Sequence, residues 1–497
     1  MITLLIVVPA IAALVLALAT RMPARAVSAV WIAASAVEML IAIGATAVFA
    51  IVDRSGPLGL EERVAWIPGA GSSYHVGVDG FSLPLILLTV VIFVICSIAG
   101  AREPQRRRAL AALFLFLEST CVGIFAAQDL ILFFLFFDLS IVGMYFAIAG
   151  WGHNQARRSA LKFFLYTFIG SLVLLLGFIG LYLASDPHTF DIAELAQNGI
   201  STSPLLGGLI LLALFVGLAI KIPTFPFHSW LPPAHTDAPT IGSVVLASVM
   251  LKMGTYGLVR IVMPILPDSW TQWGWLIATI GVISVLYGAL VALAQTDLKR
   301  MIAFTSINHM GYVVLAVGAA GVIGQSTGGD ARQLAITGAV TQMVSHGLIT
   351  GALFLLAGVM YDRRGTYDLG AFGGLATSAP RYAALFGVAS FASLGLPGFS
   401  SFIAEFQIFA GSIGLWGWAA LALPGIVITA ALLLRAFQKV FTGDEAGLSA
   451  GFADVDRREF WTSASLLGLA VIVGLVPAPL LALIAPASNH LAAILLP

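Results

Sequence analysis

The chain has 497 residues, of which 60% are hydrophobic and 10% are charged, whereas soluble domains carry roughly 25% charged residues. This composition indicates a polytopic membrane protein. The 24 basic and 24 acidic residues balance, so net charge gives no support to nucleic-acid binding. The two cysteines, Cys96 and Cys121, lie in apolar runs and support neither a disulfide framework nor a zinc site or iron–sulfur cluster.

A membrane-spanning helix needs about 20 mostly apolar residues, and polar interruptions divide the chain into fourteen such segments. The apolar start lacks the basic region and cleavage site of a signal peptide, so we count it as the first helix. The division between the fourth and fifth segments depends on Gln128 and Asp129 alone. The predicted spans are residues 2–20, 27–52, 80–100, 109–127, 130–150, 162–184, 204–230, 241–263, 272–295, 301–321, 334–360, 382–410, 417–440 and 460–485.

Basic residues are distributed unevenly between the two predicted faces. Eighteen of the 24 Lys and Arg residues lie in loops that follow odd-numbered helices, or at helix ends beside those loops, and three lie within helices. The loops after even-numbered helices contain only Arg54, Arg63 and Arg332. By the positive-inside rule the Arg-rich face is cytoplasmic, so both termini are predicted to lie outside.

Two predicted helices are interrupted. Two prolines break the seventh within Lys221-Ile-Pro-Thr-Phe-Pro-Phe-His228, and the twelfth contains Leu394-Gly-Leu-Pro-Gly-Phe-Ser-Ser401. Such breaks in corresponding positions of two repeats indicate an ion path. We therefore predict two five-helix units, helices 4–8 (109–263) and helices 9–13 (264–440), the second inverted because five is odd. Residues 1–108 supply three N-terminal helices and residues 441–497 the fourteenth.

Ionisable side chains inside the predicted spans are functional candidates, because a charge at the bilayer centre costs about 2.5–3.5 kcal/mol on insertion scales. The first-rank candidates for a proton path are Asp138, Lys221, Lys252 and Glu405. The second-rank candidates are Glu118, His309, His346 and His228. For these residues a structural role, in hydrogen bonding between helices or in capping, is about as well supported as a place in the proton path. We interpret Glu38, Arg260 and Arg435, which lie nearer to predicted helix ends, as structural. For His235, bracing a loop is at least as well supported as proton transfer.

Alternating acids and bases in a dry interior can relay protons. A nearby carboxylate changes whether a buried lysine holds a proton, and histidine can pass protons between such groups. The histidines and carboxylates are spread over separate helices without metal-ligand spacing, and no Gly-rich loop precedes Lys-Ser/Thr. The sequence therefore favours proton movement over metal or nucleotide chemistry.

The chain resembles a known family, the antiporter-like membrane subunits of respiratory complex I, over most of its length. The resemblance is carried by long motifs in a fixed order. They are Gly77-Val-Asp-Gly-Phe-Ser-Leu-Pro84, Phe133-Phe-Leu-Phe-Phe-Asp138 with Met144-Tyr-Phe146 and Trp151-Gly-His153, Lys221-Ile-Pro-Thr-Phe-Pro-Phe-His-Ser-Trp-Leu-Pro232 with Ala234-His235, Leu251-Lys-Met-Gly-Thr-Tyr-Gly257, Asp297-Leu-Lys-Arg300 with Ser306-Ile-Asn-His-Met-Gly-Tyr312, and Phe402-Ile-Ala-Glu-Phe406.

The resemblance implies roles for the four first-rank residues. In the family a fifth-helix carboxylate and a seventh-helix lysine form a gating charge pair, which corresponds to Asp138 and Lys221 here. The eighth-helix lysine, Lys252, continues a central polar axis, and the twelfth-helix residue, Glu405, leads to the outside. The implied function is proton translocation in the bacterial plasma membrane, as a subunit of NADH:quinone oxidoreductase. NADH, FMN, iron–sulfur clusters and quinone are then expected in partner subunits, which include sister antiporter-like subunits, with no cofactor or metal in this chain.

Several features refine the resemblance. The acid at position 405 and the end of the chain near its fourteenth helix favour one branch of the family, because sister subunits usually carry lysine there or add a long lateral helix. Pro233 replaces the Asp of the family's usual Trp-Leu-Pro-Asp-Ala-His loop. The fifth-helix acid is usually Glu, so Asp138 either keeps its pairing with Lys221, directly or through water, or yields that role to Glu118. We favour the retained pair.

Three alternatives stay open at this point. A subunit of a multi-subunit sodium/proton antiporter or of a membrane-bound hydrogenase would share the same module. A stand-alone solute carrier would need mid-membrane groups shaped for an organic substrate, and a purely structural scaffold would not need the central charges. The sequence does not identify the coupled ion, the proton stoichiometry, the quinone type or the neighbouring subunits.

Overall fold

The computed structural model describes residues 1–52, 58–200, 202–322 and 329–496, and Arg54 lies outside the described residues. Helices that correspond to the fourteen predicted spans are labelled α1–α14, and the last helix is α15. They are α1 Ile2–Leu18, α2 Ala24–Val52, α3 Ser82–Gly100, α4 Arg107–Ala126, α5 Leu130–Trp151, α6 Ala156–Ala184, α7 Pro204–Lys221, α8 Thr240–Ile265, α9 Pro267–Leu293, α10 Leu298–Ala320, α11 Gly329–Arg364, α12 in two halves Pro380–Ser393 and Ser400–Leu415, α13 Leu423–Phe441, α14 Arg457–Leu475 and α15 Ala478–Ile494. Short helices cover Ile192–Asn198, Leu231–Asp237 and Leu375–Ser378, and the strands are β1 Gly59–Ile67, β2 Ser72–Val78, β3 Phe372–Gly373 and β4 Ala446–Gly447.

The predicted all-α polytopic architecture is confirmed. Twelve helices in the described part of the chain, α2–α11, α13 and α14, are long and apolar enough to cross a membrane. The helices α1 and α15 have 17 residues each, and α12 is divided. The count of fourteen spans, the inverted repeat and the boundaries of the four predicted regions stay predictions.

Helices α8, α10 and α11 lie at the centre of the bundle. The most apolar windows of α10 and α11 are 100% buried and that of α8 is 94% buried, whereas those of α2 and α14 are 28% buried. Lys252, His309 and His346 lie on these three central helices. Their polar groups are thereby kept away from the surface that lipid would cover.

Both predicted interruptions are present. Helix α7 ends at Lys221, so the predicted span 204–230 is wrong in its extent, and the chain re-enters a helix only at Leu231. Side chains replace some of the backbone hydrogen bonds that the interruption removes. For example, the Ser284 hydroxyl accepts a hydrogen bond from the Phe225 N–H at 3.0 Å. Such replacement is what allows irregular backbone inside a membrane protein.

Two regions differ from the prediction. The loop after α2 contains an antiparallel hairpin, β1–β2, with Val64 opposite Tyr74, which a search for apolar runs of helix length does not detect. The predicted span 460–485 is wrong, since α14 ends at Leu475 and α15 starts at Ala478. Pro477 separates them, because proline has no N–H to continue the helical hydrogen bonds.

The two chain ends lie at the same end of the bundle. The Ile2 N–H donates to Glu62 Oε1 of the hairpin at 2.8 Å, and Arg332, at the start of α11, donates to the Leu495 carbonyl at 3.1 Å. Both contacts lie beside loops that follow even-numbered helices. Which end faces the cytoplasm stays a prediction from the basic residues.

Candidate functional site

Lys252 of α8 and His346 of α11 form the centre of a buried polar row. Lys252 Nζ lies 2.7 Å from His346 Nδ1 and also donates to the Ala247 carbonyl. A π-helical turn, Leu246–Met250, precedes Lys252, and such turns are frequently found at functional sites. Gly347 permits the close approach of the two helices, since a Cβ there would lie 2.9 Å from the Ser248 carbonyl oxygen.

His309 of α10 continues the row. Its ring centroid lies 5.5 Å from that of His346, and its Nδ1 is 3.2 Å from Gln342 Nε2. On the other side, His309 Nε2 lies 3.4 Å from the Ser393 hydroxyl at the end of the first half of α12. A cavity of about 10 Å³ lies between His309, His346 and the interrupted helix, which is room for one water molecule.

Glu405 ends the row on the second half of α12. Its Oε1 lies 3.6 Å from His309 Nδ1, and its side chain is 8% exposed. The interruption provides the space for this carboxyl group: Gly395 has φ +73°, and a Cβ there would lie 2.6 Å from Glu405 Oε2. Four of the predicted residues, from α8, α11, α10 and α12, thus form one connected row in the order Lys252, His346, His309 and Glu405.

Lys221 and Asp138 lie near each other but outside this row. Lys221, the last residue of α7, is 1% exposed, and its Nζ lies 4.8 Å from the centre of the Phe137 ring. Within the described residues Lys221 Nζ and Asp138 Oδ1 are buried without a hydrogen-bond partner. The two residues interact electrostatically without an ion pair within 4.0 Å, so a direct contact is not present and their pairing stays a prediction.

The remaining second-rank candidates lie apart from the row. Glu118 accepts a hydrogen bond from Ser35 at 2.6 Å and contacts Glu38. It therefore lies against α2. His228 follows the break after α7, where its Nε2 is 3.1 Å from the Tyr287 hydroxyl of α9.

Three buried groups were not ranked among the candidates in the sequence analysis. His235 is fully buried against Phe354, and neither of its ring nitrogens has a hydrogen-bond partner in the described part of the chain. Lys299, counted as a loop residue, is 0% exposed and donates to the Ala238 carbonyl at 2.6 Å. Glu38, interpreted as structural because of its position, in fact lies midway along α2 and is 0% exposed. His235 interacts electrostatically with both Lys252 and Lys299, so it connects the row to the Arg-rich end of the bundle.

Two of these groups had a weak signal in the sequence. His235 and Lys299 both lie in the motifs that carry the family resemblance. Both residues would have been candidates if every histidine and lysine in those motifs had been considered. Glu38 had a different signal, its central position in an apolar segment.

Comparison with known proteins gives a consistent result. Residues 127–432 match the family model described as NADH:quinone oxidoreductase/Mrp antiporter, transmembrane. NADH-quinone oxidoreductase subunit M of Rhodobacter capsulatus is 36% identical over 499 residues, covering 97% of this chain and 94% of the relative. NAD(P)H-quinone oxidoreductase chain 4 2 of Thermosynechococcus vestitus is 39% identical over 435 residues, covering 85% of this chain and 79% of the relative.

Solved structures agree with the sequence relatives. A chain of respiratory complex I from Thermus thermophilus with bound NADH is 28% identical and superimposes with a TM-score of 0.89 over 100% of both chains. A chain of the Mrp complex from Dietzia is 21% identical, with a TM-score of 0.86 over 99% of both chains, and this likeness concerns the fold alone. The chain belongs to the NADH:quinone oxidoreductase/Mrp antiporter family of membrane proteins.

Proposed function

We propose that this chain is a proton-translocating membrane subunit of NADH:quinone oxidoreductase, corresponding to subunit M. The observation that carries the proposal is the connected, buried row of Lys252, His346, His309 and Glu405, on helices α8, α11, α10 and α12. Relatives named subunit M match most of the chain at 36–39% identity, and they support this assignment over other members of the family.

The row suits proton movement for a chemical reason. Lysine, histidine and glutamic acid can each gain and lose a proton, and neighbouring members lie within hydrogen-bonding distance or one water molecule of each other. Histidine can accept a proton on one ring nitrogen and release one from the other. A proton can therefore pass from Lys252 toward Glu405 through small side-chain rearrangements.

In this proposal the redox chemistry occurs elsewhere in the complex. NADH, FMN, iron–sulfur clusters and quinone are assigned to partner subunits, and this chain contributes the membrane path for protons. Its proposed neighbours are sister antiporter-like subunits in a bacterial inner membrane. The first-rank residues keep their proposed roles, with Asp138 and Lys221 controlling the entry of protons into the row.

A second candidate function is that of a subunit of a multi-subunit sodium/proton antiporter, because the family model covers both groups. A stand-alone solute carrier is less well supported. The cavity within the row, about 10 Å³, has room for a water molecule but not for an organic substrate.

Purification in mild detergent followed by reconstitution tests the proposal. We expect NADH:quinone oxidoreductase subunits to copurify, and Glu405→Gln to reduce proton pumping while the complex still assembles. Glu445→Gln, which alters an exposed carboxylate in the loop after α13, is the matched control and should pump normally. Normal pumping by an assembled Glu405→Gln complex would contradict the proposed path, and copurification with sodium/proton antiporter subunits would favour the second candidate.

A further inference from the structure

Two glutamates, Glu38 of α2 and Glu118 of α4, are buried against each other away from the row. Both side chains are 0% exposed, and their carboxyl groups are in hydrogen-bonding contact. The pair lies outside residues 127–432, the part of the chain that the family model matches. Neither residue belongs to the motifs that carry the family resemblance.

The hydrogen-bond donors around this pair are too few for two carboxylates. The Ser35 hydroxyl donates to Glu118 Oε2 at 2.6 Å. No described residue donates to either oxygen of Glu38 or to Glu118 Oε1, and the ion pairs of the described residues include neither glutamate. The Glu38 carboxyl group is thus fully buried and directed at Glu118 without another partner.

This geometry requires a proton. Carboxylate oxygens accept hydrogen bonds and donate none, so two carboxyl groups in hydrogen-bonding contact need a proton on at least one of them. Two adjacent negative charges in a dry interior would also repel each other without a compensating cation. The pair therefore holds one proton, and it has a second oxygen position that can accept another.

Cys121 is a link between this pair and Lys221. It follows Glu118 by three residues on α4, so both side chains lie on one face of the helix, and Cys121 is 0% exposed. Cys121 interacts electrostatically with Lys221 and also with Glu118 and Glu38. Lys221 thus interacts electrostatically with Asp138 of α5 and with Cys121, and Cys121 connects it to the pair on α2 and α4.

We propose that Glu38 and Glu118 form a proton-holding site that accepts the proton released by Lys221. In this step an N–H bond of the Lys221 ammonium breaks and an O–H bond forms on the shared carboxylate. The products are a neutral amine and two neutral carboxyl groups, so one positive and one negative charge disappear together from the interior. The inference rests on the proposed function, because it assigns a proton acceptor to the lysine of that path.

Infrared difference spectroscopy of the assembled complex during NADH oxidation tests the site directly, because the C=O stretch reports protonated carboxyl groups. We expect a C=O band that shifts on ¹³C-glutamate labelling of the unaltered complex and is lost in both Glu38→Gln and Glu118→Gln. Glu445→Gln should leave the band unchanged. A labelled, unaltered complex without such a band, or assembled single variants that keep it, would overturn the proposal.

Proton pumping separates a functional role from a packing role. We expect each single variant to pump at least twofold fewer protons per NADH than the unaltered complex. The double variant Glu38→Gln/Glu118→Gln keeps a hydrogen-bonded pair of similar shape, so a packing role predicts normal pumping and the proposal predicts the same defect. Glu405→Gln, measured in parallel, separates the two proposals: if it pumps normally the proposed function fails, and if it is defective while the pair variants pump normally only this site fails.

Discussion

Lys252→Met gives the sharpest test of the buried row, because methionine replaces the apolar part of the lysine side chain with one of similar length and removes the titratable nitrogen. The substitution leaves the Ala247 carbonyl and His346 Nδ1 without their donor, at a cost of about 1–3 kcal/mol each. Removal of a buried ammonium group, whose desolvation costs several kcal/mol, offsets this loss. We therefore expect the complex to assemble.

Proton passage should respond far more strongly than assembly. A proton that crosses the bilayer centre without a titratable side chain is an unpartnered charge, which costs about 2.5–3.5 kcal/mol. At 1.36 kcal/mol for each factor of ten, transfer through this subunit should slow by about 100-fold. The assay is dye-monitored acidification of vesicles that contain the purified complex, expressed as protons per NADH oxidised. Lys162→Met, which removes a lysine bonded to the Ser229 carbonyl at the periphery, is the control, and an unchanged ratio in Lys252→Met would refute the reasoning.

Three other predictions concern the entry pair, the orientation and the hairpin. Asp138→Asn should impair pumping strongly while Asp138→Glu is tolerated, because only the second variant keeps a carboxylate beside the α7 lysine; equal pumping by both would remove Asp138 from the path. In membrane-impermeant labelling, a cysteine at Arg102, which is 71% exposed, should react from the cytoplasm and one at Asp186 from the outside, and the reverse pattern would overturn the orientation. Burial alone lowers the pKa of His75, but the hydrogen bonds and electrostatic attraction to Asp191 and Glu61 together outweigh this effect, and the pKa is raised overall. His75 therefore stabilises the hairpin fully below its unfolded pKa of about 6.5 and loses this contribution as pH rises through the higher folded value. Protection of the hairpin amides from hydrogen exchange, measured relative to their intrinsic exchange rates, should fall over that range in the unaltered chain and not in His75→Gln.

The fold was largely predictable because membrane insertion depends on a simple physical property. Apolar length and basic-residue position identify spanning helices, and twelve of the described helices satisfy the length and composition criteria. The hairpin of Gly59–Ile67 and Ser72–Val78 could not be found in this way, because its strands are shorter than a span and partly polar. The boundary at Pro477 was missed because the apolar residues continue across it.

Individual site residues were predictable, but most of their partners were not. Lys252, His346 and Glu405 were candidates because each is an ionisable residue in an apolar helix. The order of the row depends on which helices pack together, and α8, α10 and α11 meet only in the folded chain. Lys299 shows the limit clearly: its place in a predicted loop suggested exposure, yet it is 0% exposed and donates to the Ala238 carbonyl, which directly follows the short helix Leu231–Asp237.

The two interrupted helices place their charged residues in different environments. Glu405, on α12, has His309 within 3.6 Å and belongs to a connected row, whereas Lys221, at the end of α7, has no hydrogen-bond partner among the described residues. A pump requires at least one connection that is open for part of its cycle, because a relay joined continuously from face to face would dissipate the proton gradient. The gap around Lys221 meets this requirement. Movement of Asp138 or of water beside Lys221 would close it, and we therefore propose that the α5–α7 region controls pumping while the row that ends at Glu405 conducts protons.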